Sequence, residues 1–91
     1  MAKIVSRARR LRHEYQLVIE RDVTVQEVAE AAGIERAALT RIELGKTSRI
    51  DFDTLAKIIA FYSQALGRPV SAADVLEYDA NNKWAAELVA A

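Results

Sequence analysis

Two short helical segments, joined at a glycine, occupy the sequence between Thr24 and Gly45. Thr24 can cap the first segment, because Glu27 follows at the spacing of a capping box. Gly33 can end that segment, since glycine adopts the left-handed conformation after a last helical turn without strain. The second segment begins near Glu35 and ends at Gly45. The pattern therefore predicts two helices connected by a turn of roughly three or four residues.

The interior of this two-helix unit is predicted from the size of its side chains. Helices that cross steeply at a short turn need a small residue near the crossing point, and Ala29 fits that place. The wedge between the helices is filled by four apolar side chains, Val28, Ile34, Leu39 and Ile42. The opposite face of the second helix then consists of Arg36, Ala37, Thr40 and Arg41.

That exposed face carries groups that can read base pairs. A helix fits the major groove of B-DNA, and its N-terminal residues usually reach the base edges. Arg36 and Arg41 can each bind guanine O6 and N7 through two hydrogen bonds. Ala37 can pack against a thymine methyl group, and Thr40 can hydrogen-bond or make a methyl contact. Phosphate oxygens can accept hydrogen bonds from the loop that follows, through Lys46, Thr47, Ser48 and Arg49.

Helical periodicity extends over most of the remaining chain, and no segment alternates in the manner of a strand. A fourth helix is predicted to begin at Asp51 or Asp53, and a short fifth helix runs from a cap at Ser71 through Val75 and Leu76. The first helix is predicted from an apolar stripe formed by Ile4, Ala8, Leu11, Tyr15 and Val18. The inward face of the fourth is predicted to be Phe52, Leu55, Ile58, Ile59 and Tyr62.

The predicted fold is all-α, a compact bundle of five or six short helices. Residues 1–78 are assigned to one domain, since chains below about 100 residues rarely contain two cores. Residues 79–91 form a C-terminal tail, which we expect to be helical and to serve packing or dimerisation. Trp84 and Leu88 lie on one side of that predicted helix.

The charges are balanced in total but unevenly distributed along the chain. The formal net charge is zero. Residues 1–21 nevertheless hold six basic and two acidic side chains, and residues 35–49 hold four basic and two acidic ones. Phosphate binding depends on the local field rather than on the total charge. The distribution therefore permits a nucleic-acid partner, although the same charges are also consistent with ordinary solvated helix faces.

The amino-acid composition argues against several other classes of function. The chain has no cysteine, which excludes disulfides, thiolate zinc sites and a cysteine nucleophile. His13 is the single histidine, and neither a glycine-rich phosphate loop nor a metal-ligand spacing is present. No signal-peptide pattern occurs, and no apolar run approaches the ~20 residues of a membrane span. We therefore expect a cytoplasmic protein that is not an enzyme and binds no cofactor, metal or membrane.

The spaced residues of the two-helix unit resemble the helix-turn-helix of the phage-repressor/Cro-like family of bacterial regulators, the XRE family. The family pattern is matched by Thr24, Glu27, Val28, Ala29, Gly33, Ile42, Glu43, Gly45 and Lys46. Residues 50–55 and 74–78 resemble a compact subgroup of the same family, so the likeness covers roughly residues 5–78. It implies a lambda-repressor-like DNA-binding domain.

The resemblance also implies roles for particular residues. A first-helix arginine of the family pairs with the glutamate of the recognition helix, which makes Arg12 and Glu43 the candidate pair here. The family places a phosphate-binding glutamine where Val25 stands, so Gln26, one position later, is the candidate for that contact, together with Thr24. The structural support of the motif is assigned to Arg12, Ala29, Gly33, Glu43 and Gly45.

The function implied is a sequence-specific regulator of transcription, a repressor, that binds double-stranded DNA as a homodimer. Two alternatives stay open at this point. An antitoxin-like module would bind a toxin protein as well as its own promoter, and the acidic, apolar C-terminal part is compatible with that. A protein-interaction domain without DNA binding is favoured by the zero net charge and by Glu35, which stands where the family usually has a Ser or Thr cap.

Overall fold

A computed structural model describes residues 3–47 and 49–79, which form five helices and one two-stranded antiparallel sheet. In chain order the elements are β1 (Lys3–Ser6), α1 (Ala8–Ile19), α2 (Val25–Ala32), α3 (Arg36–Glu43), α4 (Phe52–Leu66), α5 (Ala72–Val75) and β2 (Leu76–Asp79). The predicted, mainly helical class is therefore confirmed, with a small sheet added. The predicted tail helix lies outside the described residues, and the boundary at residue 78 stays a prediction.

Local hydrogen bonds explain where the helices begin. The Thr24 hydroxyl accepts from the Glu27 backbone N–H at 3.1 Å, which caps α2 as predicted. The Asp51 carboxylate accepts from the Thr54 backbone N–H at 3.2 Å, so Asp51 rather than Asp53 caps α4. Each cap satisfies a backbone donor that has no partner within its own helix. These short-range bonds fix the helix starts independently of tertiary packing.

The core lies among all five helices, and α4 contributes its central residues. Ile58 and Tyr62 of α4 are almost fully buried. They belong to one cluster with buried side chains from α1, α2, α3 and α5, of which the largest are Leu11, Val28, Leu39 and Val75. Phe61 extends the cluster through edge-on contacts, with ring centroids 5.6 Å from Tyr15 and 5.0 Å from Tyr62. The two helices of the helix-turn-helix, α2 and α3, therefore pack against α4 and α1.

The sheet corrects the prediction that no strands occur. β1 pairs with β2 in antiparallel register, with Ile4 opposite Tyr78 and Ser6 opposite Leu76. Ile4 was expected on the first helix, but α1 begins only at Ala8 because the preceding residues pair with the end of the described chain. For the same reason Leu76 begins β2 instead of ending α5.

Two further side chains lie on the surface although the periodicity placed them inside. Phe52 is 89% exposed, since it occupies the first turn of α4 and the core cluster meets that helix only from Leu55 onward. Val18, near the end of α1, is 54% exposed. In both helices the periodically spaced apolar residues extend beyond the part of the helix that packs against another element. Periodicity alone therefore overestimates the length of the buried face.

An ion pair joins α1 to the turn after α4. Arg68 donates to both carboxylate oxygens of Glu14, with Nε–Oε2 at 3.0 Å and Nη2–Oε1 at 2.8 Å. These hydrogen bonds lower the pKa of Glu14 below its ordinary value. The stability that this shift contributes is present above the unfolded-state pKa and is lost as pH falls through the folded-state pKa.

We therefore expect Glu14→Gln to reduce the acid sensitivity of folding. Wild type should lose free energy of unfolding between about pH 5 and pH 3, on either side of the ordinary glutamate pKa of about 4.3, and the variant should lose less. Urea unfolding at the two pH values measures this. Glu20→Gln, at the exposed end of α1, is the control and should show the wild-type loss. An equal loss in wild type and Glu14→Gln would contradict the role of the pair.

Candidate nucleic-acid interface

The turn between α2 and α3 has the geometry that the sequence predicts. Gly33 adopts φ 76°, in the left-handed region, and the Ile34 N–H donates to the Ala29 carbonyl at 2.8 Å. A residue with a β-carbon would be strained at that φ, which explains the glycine. Ala29 is buried at the crossing, and the wedge is filled by the buried Val28, Leu39 and Ile42 and the half-buried Ile34. The predicted interior of the unit is therefore confirmed.

The outer face of α3 is open to solvent. Arg36, Ala37 and Arg41 are exposed, and Thr40 is half-buried. Within the described residues, neither arginine forms a salt bridge. Glu35 is exposed at the N-cap of α3 but makes no side-chain capping hydrogen bond. The structure thus brings the four predicted base-reading residues onto one accessible surface, with an acidic side chain at its N-terminal end.

The loop after α3 folds back against that helix. Gly45 has φ 68°, and the Lys46 N–H donates to the Arg41 carbonyl at 2.9 Å. The Thr47 hydroxyl donates to the Arg49 carbonyl at 2.7 Å. Lys46, Thr47 and Arg49 are exposed, and the last two line one depression together with Arg41. Ser48, the fourth predicted phosphate-binding residue of this loop, lies outside the described residues.

The N-terminus of α2 holds the other two residues assigned to phosphate. Thr24 and Gln26 are both exposed. The Thr24 hydroxyl accepts the capping hydrogen bond, which leaves its own proton available to an acceptor. Gln26 donates to the Glu30 carboxylate at 3.0 Å, along the helix rather than away from it. Gln26 must therefore break that hydrogen bond, or use its second amide proton, to bind a phosphate.

A pair of charged side chains beneath α3 fixes its position. Arg12 Nε donates to both carboxylate oxygens of Glu43 at 3.0 and 3.1 Å, and Arg12 Nη1 donates to the Val23 carbonyl at 2.8 Å. The side chains are only 15% and 4% exposed. The hydrogen bond to Glu43 raises the pKa of Arg12, against the opposing effect of burial. The predicted pair is thus in contact, and it joins α1, α3 and the segment that leads into α2.

Gln16, which the sequence interpretation did not single out, adds to this support, and Tyr62, predicted on the inward face of α4, lies near the pair. Gln16 accepts the Val23 N–H at 3.0 Å through its side-chain oxygen, so Val23 is held on both its amide and its carbonyl. Tyr62 lies below, fully buried, and burial raises the pKa of its hydroxyl, with the charge of Glu43 adding to the effect. Only the helical face shared by Arg12 and Gln16 could have indicated Gln16 from sequence.

In residues 3–47 and 49–79, no three His, Cys, Asp or Glu side chains are placed to hold a metal ion. Over the same residues, no helix combines the length and the apolar character that crossing a membrane requires.

Comparison with known families agrees with the geometry. A family model for the Cro/C1-type HTH DNA-binding domain matches residues 15–67, from the middle of α1 past the end of α4. The chain belongs to this family. No curated protein and no solved structure gave a significant match. Membership confirms the predicted resemblance and makes the protein a helix-turn-helix DNA-binding protein whose partner is double-stranded DNA.

The Cro/C1-type match includes Glu43 but begins after Arg12, and it excludes both strands. Arg12 of the Arg12–Glu43 pair therefore lies outside the matched region, and so do both strands of the sheet. This Cro/C1-type domain uses the N-terminal half of α1 to hold α3.

Removing one partner of the Arg12–Glu43 pair should therefore destabilise the Cro/C1-type domain. Glu43→Gln leaves the Arg12 charge largely buried without its counter-ion, and we expect a loss of about 3 kcal/mol, the lower end for a broken buried pair. Urea unfolding at neutral pH measures it. Glu30→Gln, which makes the same chemical change at an exposed site on α2, should stay within about 0.5 kcal/mol of wild type. Similar losses in the two variants would show that burial of the pair is unimportant.

Proposed function

We propose that this protein is a sequence-specific transcriptional repressor that places α3 in the major groove of duplex DNA. The observation that carries the proposal is the outer face of α3, where two arginines without carboxylate partners in the described residues stand beside Ala37 and Thr40. Long cationic side chains that form no internal ion pair keep their donors available to a ligand. Repression follows if the bound site overlaps a promoter, because the protein then competes with polymerase.

The proposed contacts divide into two kinds. Arg36 and Arg41 read guanine through two hydrogen bonds each, while Ala37 and Thr40 contact neighbouring bases. The phosphate contacts position the protein without reading sequence. They come from Thr24 and Gln26 at the start of α2 and from the loop after α3, through Lys46, Thr47, Ser48 and Arg49.

Substitutions of the two kinds should behave differently. A duplex selected from a random pool by the wild-type protein supplies the specific site, and a scrambled duplex supplies the reference. Arg36→Ala should weaken binding to the selected site by about 1–3 kcal/mol and weaken binding to the scrambled duplex less. Lys46→Ala should weaken binding to both duplexes and lower the slope of log K against log salt by about one.

The titration also decides the proposal itself. Tight, salt-sensitive binding with a preference for the selected duplex supports a sequence-specific regulator. Equal affinity of wild type for both duplexes at every salt concentration would overturn base reading by α3. Equal losses for Arg36→Ala on both duplexes would remove that residue alone from the base-reading set.

We further propose that the protein binds as a homodimer on two half-sites, roughly 34–36 Å apart. A single small domain buries limited area on DNA, and a second copy supplies the rest. Ile4 and Tyr78, opposite each other in the sheet, are 61% and 56% exposed, and they lie where residues 79–91 begin. That apolar pair supports a subunit contact formed by the sheet and the tail.

Truncation after Asp79, the last residue of β2, tests the tail. We expect the full chain to sediment as a dimer and the truncated chain as a monomer, because the tail carries Trp84 and Leu88. Analytical ultracentrifugation at several concentrations measures the change. Circular dichroism confirms that the shorter chain still folds. A truncated protein that dimerises with unchanged affinity would place the subunit contact elsewhere.

A second candidate function is an antitoxin-like module that also binds a protein. Leu17 and Val18, adjacent on α1, are 79% and 54% exposed, and this apolar surface faces away from the core. Exposed apolar patches often mark a protein-binding surface. A protein encoded beside this chain that co-purifies with it, and loses affinity on Leu17→Ser, would support this role.

A further inference from the structure

The arginines of the described residues fall into two sets. Four of them form ion pairs with carboxylates, and these pairs are Arg7–Glu77, Arg12–Glu43, Arg21–Glu27 and Arg68–Glu14. The others make no salt bridge to any described residue: Arg9, Arg10, Arg36, Arg41 and Arg49. Arg36, Arg41 and Arg49 already belong to the proposed DNA surface. Arg9 and Arg10 do not, so their position decides whether they join it.

The register of α1 separates these two neighbours. Successive residues of a helix are rotated by about 100°, and Ala8 and Leu11 point into the core. Arg12 faces α3, where it holds Glu43. Arg9 comes one turn before His13 on the same flank, while Arg10 projects from the side opposite the core. Arg9 therefore lies closer to α3 than Arg10 does, although both line an open depression whose wall includes Glu43.

A depression between α1, α2 and α3 places Arg9 beside the proposed base-reading face. It is lined by Arg9, Arg12, Val25, Thr40, Glu43 and Leu44, and Arg10 does not line it. Thr40 is the proposed base contact that forms one wall, with Arg36 one helical turn earlier on the same face. Arg9 thus lies across this depression from the proposed base-reading face.

The chemistry of the depression suits a phosphate group. Its carboxylate, Glu43, is neutralised by three hydrogen bonds from Arg12. Arg9 supplies an uncompensated cation and Thr40 a hydroxyl, whereas Val25 at the start of α2 has no polar side chain. The depression holds about 190 Å³, several times the ~30 Å³ that one water occupies. A phosphate oxygen can therefore approach Arg9 without displacing protein atoms.

We propose that Arg9 binds a DNA backbone phosphate on the α1 side of the recognition helix. Arg41 and Arg49 line the depression on the other side of α3, so the helix in the groove is flanked by cations on both sides. The assignment rests on the proposed function, since it requires α3 to lie in the groove. The contact is to backbone and not to bases, because a helix beside the recognition helix meets the phosphates that border the groove.

The test compares Arg9→Ala with Arg10→Ala in the full chain. Both variants remove one positive charge from the same turn of α1, so their effects on the overall field are matched. Affinity for the selected and the scrambled duplex is measured at four salt concentrations. Thermal unfolding confirms that each variant is folded. We expect Arg9→Ala to reduce the salt slope by about 0.9 on both duplexes, and Arg10→Ala to leave the slope within error of wild type.

The outcomes separate this assignment from the function on which it depends. A wild-type slope for Arg9→Ala, with wild type still binding DNA specifically, overturns the Arg9 contact and leaves the repressor proposal intact. Equal reductions for both variants also overturn it, because the effect is then one of general charge. Failure of wild type to bind either duplex overturns the function and the contact together. A loss confined to the selected duplex would make Arg9 a base-reading residue instead.

Discussion

Helix α3 is held in place by one largely buried ion pair. Arg12 donates three hydrogen bonds to Glu43 and a fourth to the Val23 carbonyl, so a single side chain links α1, α3 and the approach to α2. Removing two charges from water costs several kcal/mol per ion, which good geometry only partly offsets. The pair is therefore better understood as a device for orientation than as a source of stability. An apolar contact would hold α3 against α1 without defining its rotation about its own axis.

The distribution of ion pairs explains how a protein of zero net charge can present a cationic surface. Four arginines are matched with carboxylates, and of these pairs only Arg12–Glu43 is largely buried. The remaining described arginines are left without a counter-ion around α3 and the N-terminal half of α1. Total charge counts both sets equally, whereas a polyanion responds to the unpaired set. The separation of paired from unpaired cations, rather than their number, gives the molecule a surface with unpaired positive charge, which is the side proposed to face DNA.

Much of the helix-turn-helix could be predicted because its signals are local. The Thr24 cap, the left-handed Gly33 and the Asp51 cap each depend on residues no more than four positions away, and the structure has all three. The wedge between α2 and α3 followed from helical spacing alone. The Arg12–Glu43 contact came from the family resemblance, since nothing local relates two residues on different helices.

The features that sequence did not reveal depend on distant parts of the chain. Each strand has only four residues, and their partners lie at opposite ends of the described region, so neither segment has a local strand signal. Phe52 satisfied the periodicity but lies where no element covers α4. Arg9 could not be assigned because its position depends on how α1 crosses α3. Local rules identify elements, and the packing between elements decides which of their faces are used.

The strand pairing also imposes an order on folding. β1 is made first during synthesis, yet its partner β2 ends at Asp79, so the sheet closes a loop that contains all five helices. Closing so long a loop carries an entropic cost that local helix formation does not. β1 therefore stays unpaired until β2, the last of the described elements, has been made. Its pairing then joins the two ends of the described region around the five helices.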